Sequence, residues 1–233
     1  MAGMSRHFAK QGKRLGLIWI DAHADMNTPE TSPSGNVHGM PLACILGRGP
    51  VELAGLAGQV PMVAPENVAI VGLRSVDDLE RLNVRGTGVH AFTMRDIDER
   101  GMTAVIGEAI AAASSGTAGF HVSYDMDSVD PSEAPGVGTP VPVGLTYREA
   151  HLAMELIGDG GSMASVEVVE VNPVMDVANK TAVLGVGQGA ASLANLAAQV
   201  TYGLPNSREF EREADRIGIE LGARAGYDPN AAV

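Results

Sequence analysis

Short runs of aliphatic and β-branched residues alternate with helix-period segments along the first 180 residues. That alternation, punctuated by Gly/Pro-rich turns, is the signature of a parallel sheet covered on both faces. Strands are predicted over 15–20, 67–73, 88–92, 118–124 and 164–171. Leu15-Gly-Leu-Ile-Trp-Ile20 and Gly119-Phe-His-Val-Ser-Tyr124 lack the polar/apolar alternation of a half-exposed strand, so both read as fully buried parallel strands. Helices are predicted over roughly 2–12, 39–47, 76–83, 102–114, 146–158 and 180–201, the fourth being rich in alanine and therefore a good helix former that packs closely. The implied fold class is α/β, with three layers α/β/α around a central, mostly parallel sheet. Between Asn27 and His38 the chain is rich in Thr, Ser, Pro and Gly, too polar for either element, and reads as a site loop.

Near residue 185 the pattern changes. Gly185-Val-Gly-Gln-Gly-Ala-Ala-Ser is small and apolar, and a highly charged segment follows Pro205. Within it Phe210, Ala214, Ile217, Leu221 and Ala225 recur at spacings of four and three, Asn206 and Glu209 are placed for a capping box, and Gly226 with Pro229 supplies a stop. These features predict an amphipathic helix with a solvated charged face. The domain reading is 1–184 for the α/β unit and 185–233 for a helical tail.

At 233 residues with 45% hydrophobic content, the chain is large enough for one α/β domain with an appendage. Its net charge of −12 argues against nucleic acid or an anionic membrane as partner. Cys44 is the single cysteine, so no disulfide forms within the chain, and a buried thiol in a reducing cytoplasm is expected. With no N-terminal apolar signal and no apolar stretch of about 18 residues, the expectation is a soluble, cytoplasmic protein.

The acidic balance partly reflects one cluster. Asp21-Ala-His23-Ala-Asp25 closes the first buried run and Asp125-Met-Asp127 the fourth. Alternate residues of an extended chain share a face, so the members of each motif can converge, at the carboxyl ends of strands where open α/β sheets bind ligands. An Asp at a strand end on its own reads as a turn cap, but capping explains neither the alternate spacing nor His23. Four carboxylates so close would repel without a cation, and a carboxylate-rich set with one imidazole suits Mn²⁺. Two such ions ~3.5–4 Å apart would share bridging carboxylates and lower the pKa of a bridging water.

Five motifs, in order, carry a family resemblance: Asp21-Ala-His-Ala-Asp-Met-Asn-Thr-Pro, Ser34-Gly-Asn-Val-His-Gly-Met-Pro, Ser123-Tyr-Asp-Met-Asp-Ser-Val-Asp-Pro, Gly138-Thr-Pro with Gly144-Leu-Thr-Tyr-Arg-Glu, and Glu167-Val-Val-Glu-Val-Asn-Pro. Over roughly residues 1–184 the chain resembles arginase, of the ureohydrolase family. The resemblance implies a manganese-dependent hydrolysis of L-arginine to L-ornithine and urea. Asp21 and Asp125 then look like ligands bridging two Mn²⁺ ions, His23 and Asp127 like terminal ligands of one ion, and Asp25 like a terminal ligand of the other that also holds a bridging hydroxide. His38 resembles the family's proton-shuttling histidine and Glu170 its guanidinium-orienting carboxylate. Asn27, Ser34 and Asn36 look like the set that reads the substrate α-carboxylate, and Asp77 like the partner of its α-amino group. The Ser34 to His38 loop favours arginase over agmatinase, whose substrate lacks that carboxylate. A small-molecule substrate and a homo-oligomer are the implied partners.

Two departures set further expectations. The family's Gly-Gly-Asp-His motif, which precedes the position of Asp21, has no counterpart here, so the resemblance implies one metal site short of its histidine, one or two Mn²⁺ ions, and a sheet that lacks its first strands and exposes an apolar edge. His7, the one histidine upstream of Asp21, sits in a predicted helix and is expected at the surface. The tail, Pro205-Asn-Ser-Arg-Glu-Phe-Glu-Arg-Glu-Ala-Asp-Arg-Ile-Gly, resembles instead the segment of His-Glu-x-x-His zinc metallopeptidases that contributes their third ligand, with Glu211 at that position. None of the six histidines begins a His-Glu-x-x-His sequence, so a peptidase is disfavoured. The alternative to an active arginase is an inactive or impaired remnant that binds metal or a partner.

Overall fold

The structure is a computed structural model and describes residues 1–176. The helix predicted over 180–201, the amphipathic tail segment with Glu211, and the domain boundary near 184 lie outside the described residues.

Among the described residues, five strands form one sheet: β1 (Gly16–Ile20), β2 (Val68–Leu73), β3 (His90–Thr93), β4 (Phe120–Asp125) and β5 (Met163–Val169). They run in the order β3-β2-β1-β4-β5 and every pairing is parallel. The chain therefore leaves β1 toward one side and returns past it to β4 on the other. Strand order thus reverses about β1, and the carboxyl ends of β1 and β4 flank the resulting crevice.

Among the described residues seven α-helices accompany the strands: α1 (Ala2–Lys10), α2 (Pro41–Ile45), α3 (Val51–Ala54), α4 (Asp78–Thr87), α5 (Met94–Arg100), α6 (Met102–Ser114) and α7 (Tyr147–Asp159). Alternation along each strand splits its side chains between two cores. Ile18, Ile20, Val71, Val122 and Tyr124 pack with Ile97 of α5, Val105 and Ile106 of α6, and Ile157 of α7. On the opposite face Leu17, Trp19, Val68 and Ile70 pack with Leu42 and Ile45 of α2, Val84 of α4, and partly buried Met1 and Ala2. The three-layer α/β/α expectation is met. β1, β2 and β4 are buried throughout, as uninterrupted apolar runs predict for parallel strands covered on both sides.

Two glycines set how closely these layers approach. A Cβ on Gly16 would lie 1.9 Å from the Ala113 carbonyl oxygen of α6, so that helix can cross the start of β1 only over a glycine. Gly72, at φ +96°, sits where the β2–β3 register shifts, and its backbone conformation is one that glycine adopts without strain.

Differences from the sequence pattern are local. Neither α3 nor α5 is predicted. α5 (MRDIDER) buries only Ile97, so it has almost no apolar periodicity. Thr93 and Asp96 close it with a reciprocal capping box, Thr93 N donating to Asp96 Oδ2 at 2.8 Å, which satisfies helix-end donors locally. α4 runs four residues beyond its predicted end at 83, to Thr87, where Gly88 caps it in the left-handed conformation, a common helix stop. β5 is an edge among the described residues and exposes Met163 (37%) and Val166 (46%), in keeping with the expected apolar edge. No helix among the described residues is long and apolar enough to cross a membrane.

Candidate metal centre

β1 ends at Ile20 and β4 at Asp125, and the acidic motifs begin there. Residues 21–25 are not extended as the alternation argument expects: the chain bends at Ala22 and His23, and Asp25 takes a left-handed φ of 50°. Convergence comes instead from this bend meeting the 3-10 turn Met126–Ser128 that follows β4. One ligand atom each of Asp21, His23 and Asp127 lies within 4.8 Å of the others. His23 Nδ1 stands 3.0 Å from Asp127 Oδ2 and 3.5 Å from Asp21 Oδ1.

Backbone and side-chain donors hold these carboxylates. His23 N donates to Asp21 Oδ1 at 2.7 Å, and the Trp19 indole N–H donates to Asp21 Oδ2 at 2.8 Å. Ala22 N reaches Asp127 Oδ1 at 3.3 Å, and the Thr139 hydroxyl donates to Asp127 Oδ2 at 2.9 Å. Asp127 N in turn donates to Asp125 Oδ1 at 2.8 Å. Asp125 and Asp25 lie outside the three-residue set but line the same pocket.

The charges are strained toward neutralisation. Burial, then the Asp127 charge, pushes the Asp21 carboxyl up to about 7 against the pull of His23. Burial with the Asp21 and Asp127 charges raises Asp125 to about 10. Asp25 is raised well above the usual carboxylate range, first by burial and then by the Asp21 charge. Burial disfavours the charged imidazole of His23, yet Asp127 and Asp21 outweigh it and raise that group to about 11. A cluster of buried acids around one imidazolium is a site that a divalent cation would relieve.

The pocket above the cluster has a volume of about 350 Å³. His23, Asp25, Asn27, Ser34, His38, Asp77, Asp125, Asp127 and Glu170 all line it. Asp21 is buried beneath, 1% exposed. Asn36 is exposed and absent from the lining, although its N–H donates to Ser34 Oγ at 3.2 Å. His38 sits in the 3-10 turn Val37–Gly39, in the loop expected to serve the site. Asp77 is also the N-cap of α4, in a capping box with Glu80, and Asn27 Nδ2 donates to Asp77 Oδ2 at 3.4 Å. Glu170 follows β5 at φ 57°. Asp25 and Glu170 are thus two of the three non-glycine residues of positive φ among the described residues, and such backbone strain concentrates at functional sites. His7 is exposed and hydrogen-bonded to Gln11, as expected.

Several pocket residues went unrecognised in the sequence. Trp19, two positions before Asp21, shares its face by alternation, which was the available signal. Glu80 is 4% exposed, and its carboxylate accepts from Met26 N at 2.9 Å and Asp77 N at 3.3 Å, tying α4 to the bend that carries Asp21, His23 and Asp25. Its place three residues after Asp77 is the capping-box spacing. Glu167 and Ser123 pair across β4 and β5, with His121 Nε2 3.2 Å from Glu167 Oε1. That histidine contact, ahead of an opposing burial effect, lowers Glu167 to about 2.

Because the indole anchors Asp21, Trp19→Phe is expected to keep the aromatic packing yet weaken divalent-metal binding roughly tenfold, the usual cost of losing a partner that orients a ligand. Calorimetric titration with Mn²⁺ checks this. An unchanged affinity would mean that the indole only packs.

Comparison with known proteins adds to this geometry. A family model described as "Arginase family" matches residues 1–192. The arginase of Bacillus caldovelox is 50% identical over 186 residues, 80% of this chain and 61% of that protein. Its solved structure superposes with a TM-score of 0.75 over 84% of this chain and 62% of that one, at 49% identity. The arginase of Bacillus subtilis is 51% identical over 181 residues, 78% of this chain and 60% of that protein. An Entamoeba histolytica arginase, solved in complex with L-ornithine, superposes with a TM-score of 0.70 at 34% identity, over 80% of this chain and 61% of that one. The chain spans about 60% of the length of the curated relatives it matches.

Proposed function

The chain belongs to the arginase family, and from that premise we propose that it hydrolyses the guanidinium group of L-arginine to L-ornithine and urea, dependent on Mn²⁺. The observation that carries this reading is the convergence of Asp21, His23 and Asp127 at the ends of β1 and β4, beneath a pocket that Glu170 also lines. The donor set fits the ion: buried carboxylates dominate, one imidazole joins them, and the lone cysteine lies elsewhere, buried in α2, so hard-to-borderline chemistry is favoured over thiolate-seeking metals. Asp21, His23, Asp25, Asp125 and Asp127 would hold it. Bound there, Mn²⁺ would supply Lewis acidity and a water of lowered pKa.

The remaining steps belong to the chain's own groups. Glu170, in the pocket lining after β5, would accept hydrogen bonds from a planar guanidinium, for which a carboxylate is the matching partner. Asn27 and Ser34 supply polar groups for an α-carboxylate, and Asp77 a charge for an α-amino group. His38 lines the pocket from an exposed turn, where its imidazole would deliver a proton to the leaving amine. Asn36 contributes through the loop, not through the lining.

The test is urea release and metal content measured on one Mn²⁺-loaded sample, with L-arginine at alkaline pH in a urease-linked assay. Two Mn²⁺ per chain with turnover supports the proposal. No urea above a metal-free blank overturns it, and one metal per chain without turnover favours a metal-binding remnant.

A further inference from the structure

Arg74 has no carboxylate partner among the ion pairs of the described residues. Its hydrogen bonds go instead to main-chain carbonyls. Nη2 donates to Asp127 O and to Val141 O, each at 2.7 Å. Nη1 donates to Ser128 O at 3.1 Å and Gly72 O at 3.3 Å, and Nε to Pro142 O at 3.2 Å. A guanidinium has five N–H donors, so all five are engaged by backbone from three segments of the fold. A half-buried cation used in this way neither pairs charge nor presents a free donor to the pocket.

Its grip falls on a backbone that needs holding. Val143, between the clamped carbonyls and Gly144, has φ 59°, which for a β-branched residue is a genuine outlier that persists only where surrounding contacts hold it. The Asp130 carboxylate accepts from Gly144 N at 3.2 Å, and Leu145 N donates to Ser128 O at 3.0 Å. A Cβ on Gly144 would lie 2.5 Å from Arg74 Nη2 and 2.7 Å from Asp130 N, so the loop is seated with no slack. Two residues before the first clamped carbonyl is Thr139, whose hydroxyl meets Asp127 Oδ2 at 2.9 Å, the same oxygen that faces His23.

We propose that Arg74 is a positioning residue of the metal centre: it staples the 139–144 loop to the Asp127–Ser128 turn, and so keeps the Thr139 hydroxyl on the Asp127 oxygen that faces His23. The proposal rests on the metal-centre reading above. Arg74 acts through Thr139, so the two should not act independently on metal affinity.

Mn²⁺ affinity is measured by calorimetric titration of the full chain and of Thr139→Val, Arg74→Met, Arg74→Lys and the Thr139→Val/Arg74→Met pair, well below each unfolding midpoint. Thr139→Val and Arg74→Met are each expected to weaken binding about tenfold to a hundredfold. The pair should be no weaker than Arg74→Met alone, because coupled sites are not additive. Arg74→Lys, with three donors for five carbonyls, should fall between the unsubstituted chain and Arg74→Met, and it keeps the test open if Arg74→Met does not fold. Unchanged affinity in Thr139→Val and Arg74→Lys, or fully additive losses in the pair, overturns the proposal even where stability falls. No Mn²⁺ binding by the unsubstituted chain overturns it together with the proposed function.

Discussion

Asp127→Ala is expected to abolish Mn²⁺-dependent urea release from L-arginine. Asp127 is 1% exposed, and its two oxygens receive Ala22 N, the Thr139 hydroxyl and the His23 ring nitrogen. Alanine removes one member of the converged triad and leaves three polar groups facing an apolar methyl. Lewis-acid stabilisation by a bound ion is worth several kcal/mol, and ~4 kcal/mol corresponds to a rate loss on the order of a thousandfold. Asp127→Asn keeps the shape and one acceptor oxygen but not the charge, so it should lose most of the same activity while unfolding near the parent midpoint. The assay compares urea production and bound metal at one fixed Mn²⁺ concentration. A variant retaining more than about a tenth of the parent rate, only ~1.4 kcal/mol of barrier, would remove Asp127 from the centre.

Loading with Mn²⁺ should raise the thermal midpoint, and by more at pH 8 than at pH 6. A ligand at a hundred times its Kd stabilises by ~2.7 kcal/mol, and for a chain of this size that is a shift of roughly 5–10 °C. The pH sign follows from the buried groups. Asp21 and Asp125 have folded pKa values of about 7 and about 10, above the ordinary carboxylate value, so without metal they withdraw stability as pH climbs from near 4 toward those values. His23, raised to about 11, contributes stability that is complete below its ordinary value near 6.5 and is lost as pH rises toward 11. All three trends run downward with rising pH, and all three reverse on binding, because a metal takes ionised carboxylates and a neutral imidazole and releases protons. Differential scanning fluorimetry of chelator-stripped and Mn²⁺-loaded protein at the two pH values is the measurement. Equal midpoints with and without Mn²⁺ would count against a metal centre, and a larger shift at pH 6 would count against this ionisation pattern.

The buried strands were legible because their information is local. Leu15 to Ile20 and Gly119 to Tyr124 are apolar on both alternating faces, and only a sheet covered twice accepts such runs. The helices α6 and α7 were legible for the same kind of reason, having turn-to-turn apolar periodicity and, for α7, the Thr146–Glu149 capping box. Helix α5 was not, since its stability rests on a cap and one buried isoleucine. The site was readable as a list of residue types: Asn27, Ser34 and His38 reach one pocket from positions within the motifs, and Asp77, implied by the family resemblance, lines it too.

What the sequence by itself determined, then, is the α/β class, the strands that end in the two acidic motifs, and membership of a family recognised by those motifs. Only the tertiary structure decided which ligand atoms approach one another, that the 21–25 segment bends instead of extending, that Asn36 stays out of the pocket lining, and that Trp19, Thr139, Glu80 and Arg74 hold the centre in place. The division has a physical cause. Strand and helix patterns repeat over two to four residues and are written into neighbours, whereas the Arg74 clamp and the Thr139 and Trp19 contacts depend on hydrogen bonds whose direction is set by how separate segments cross.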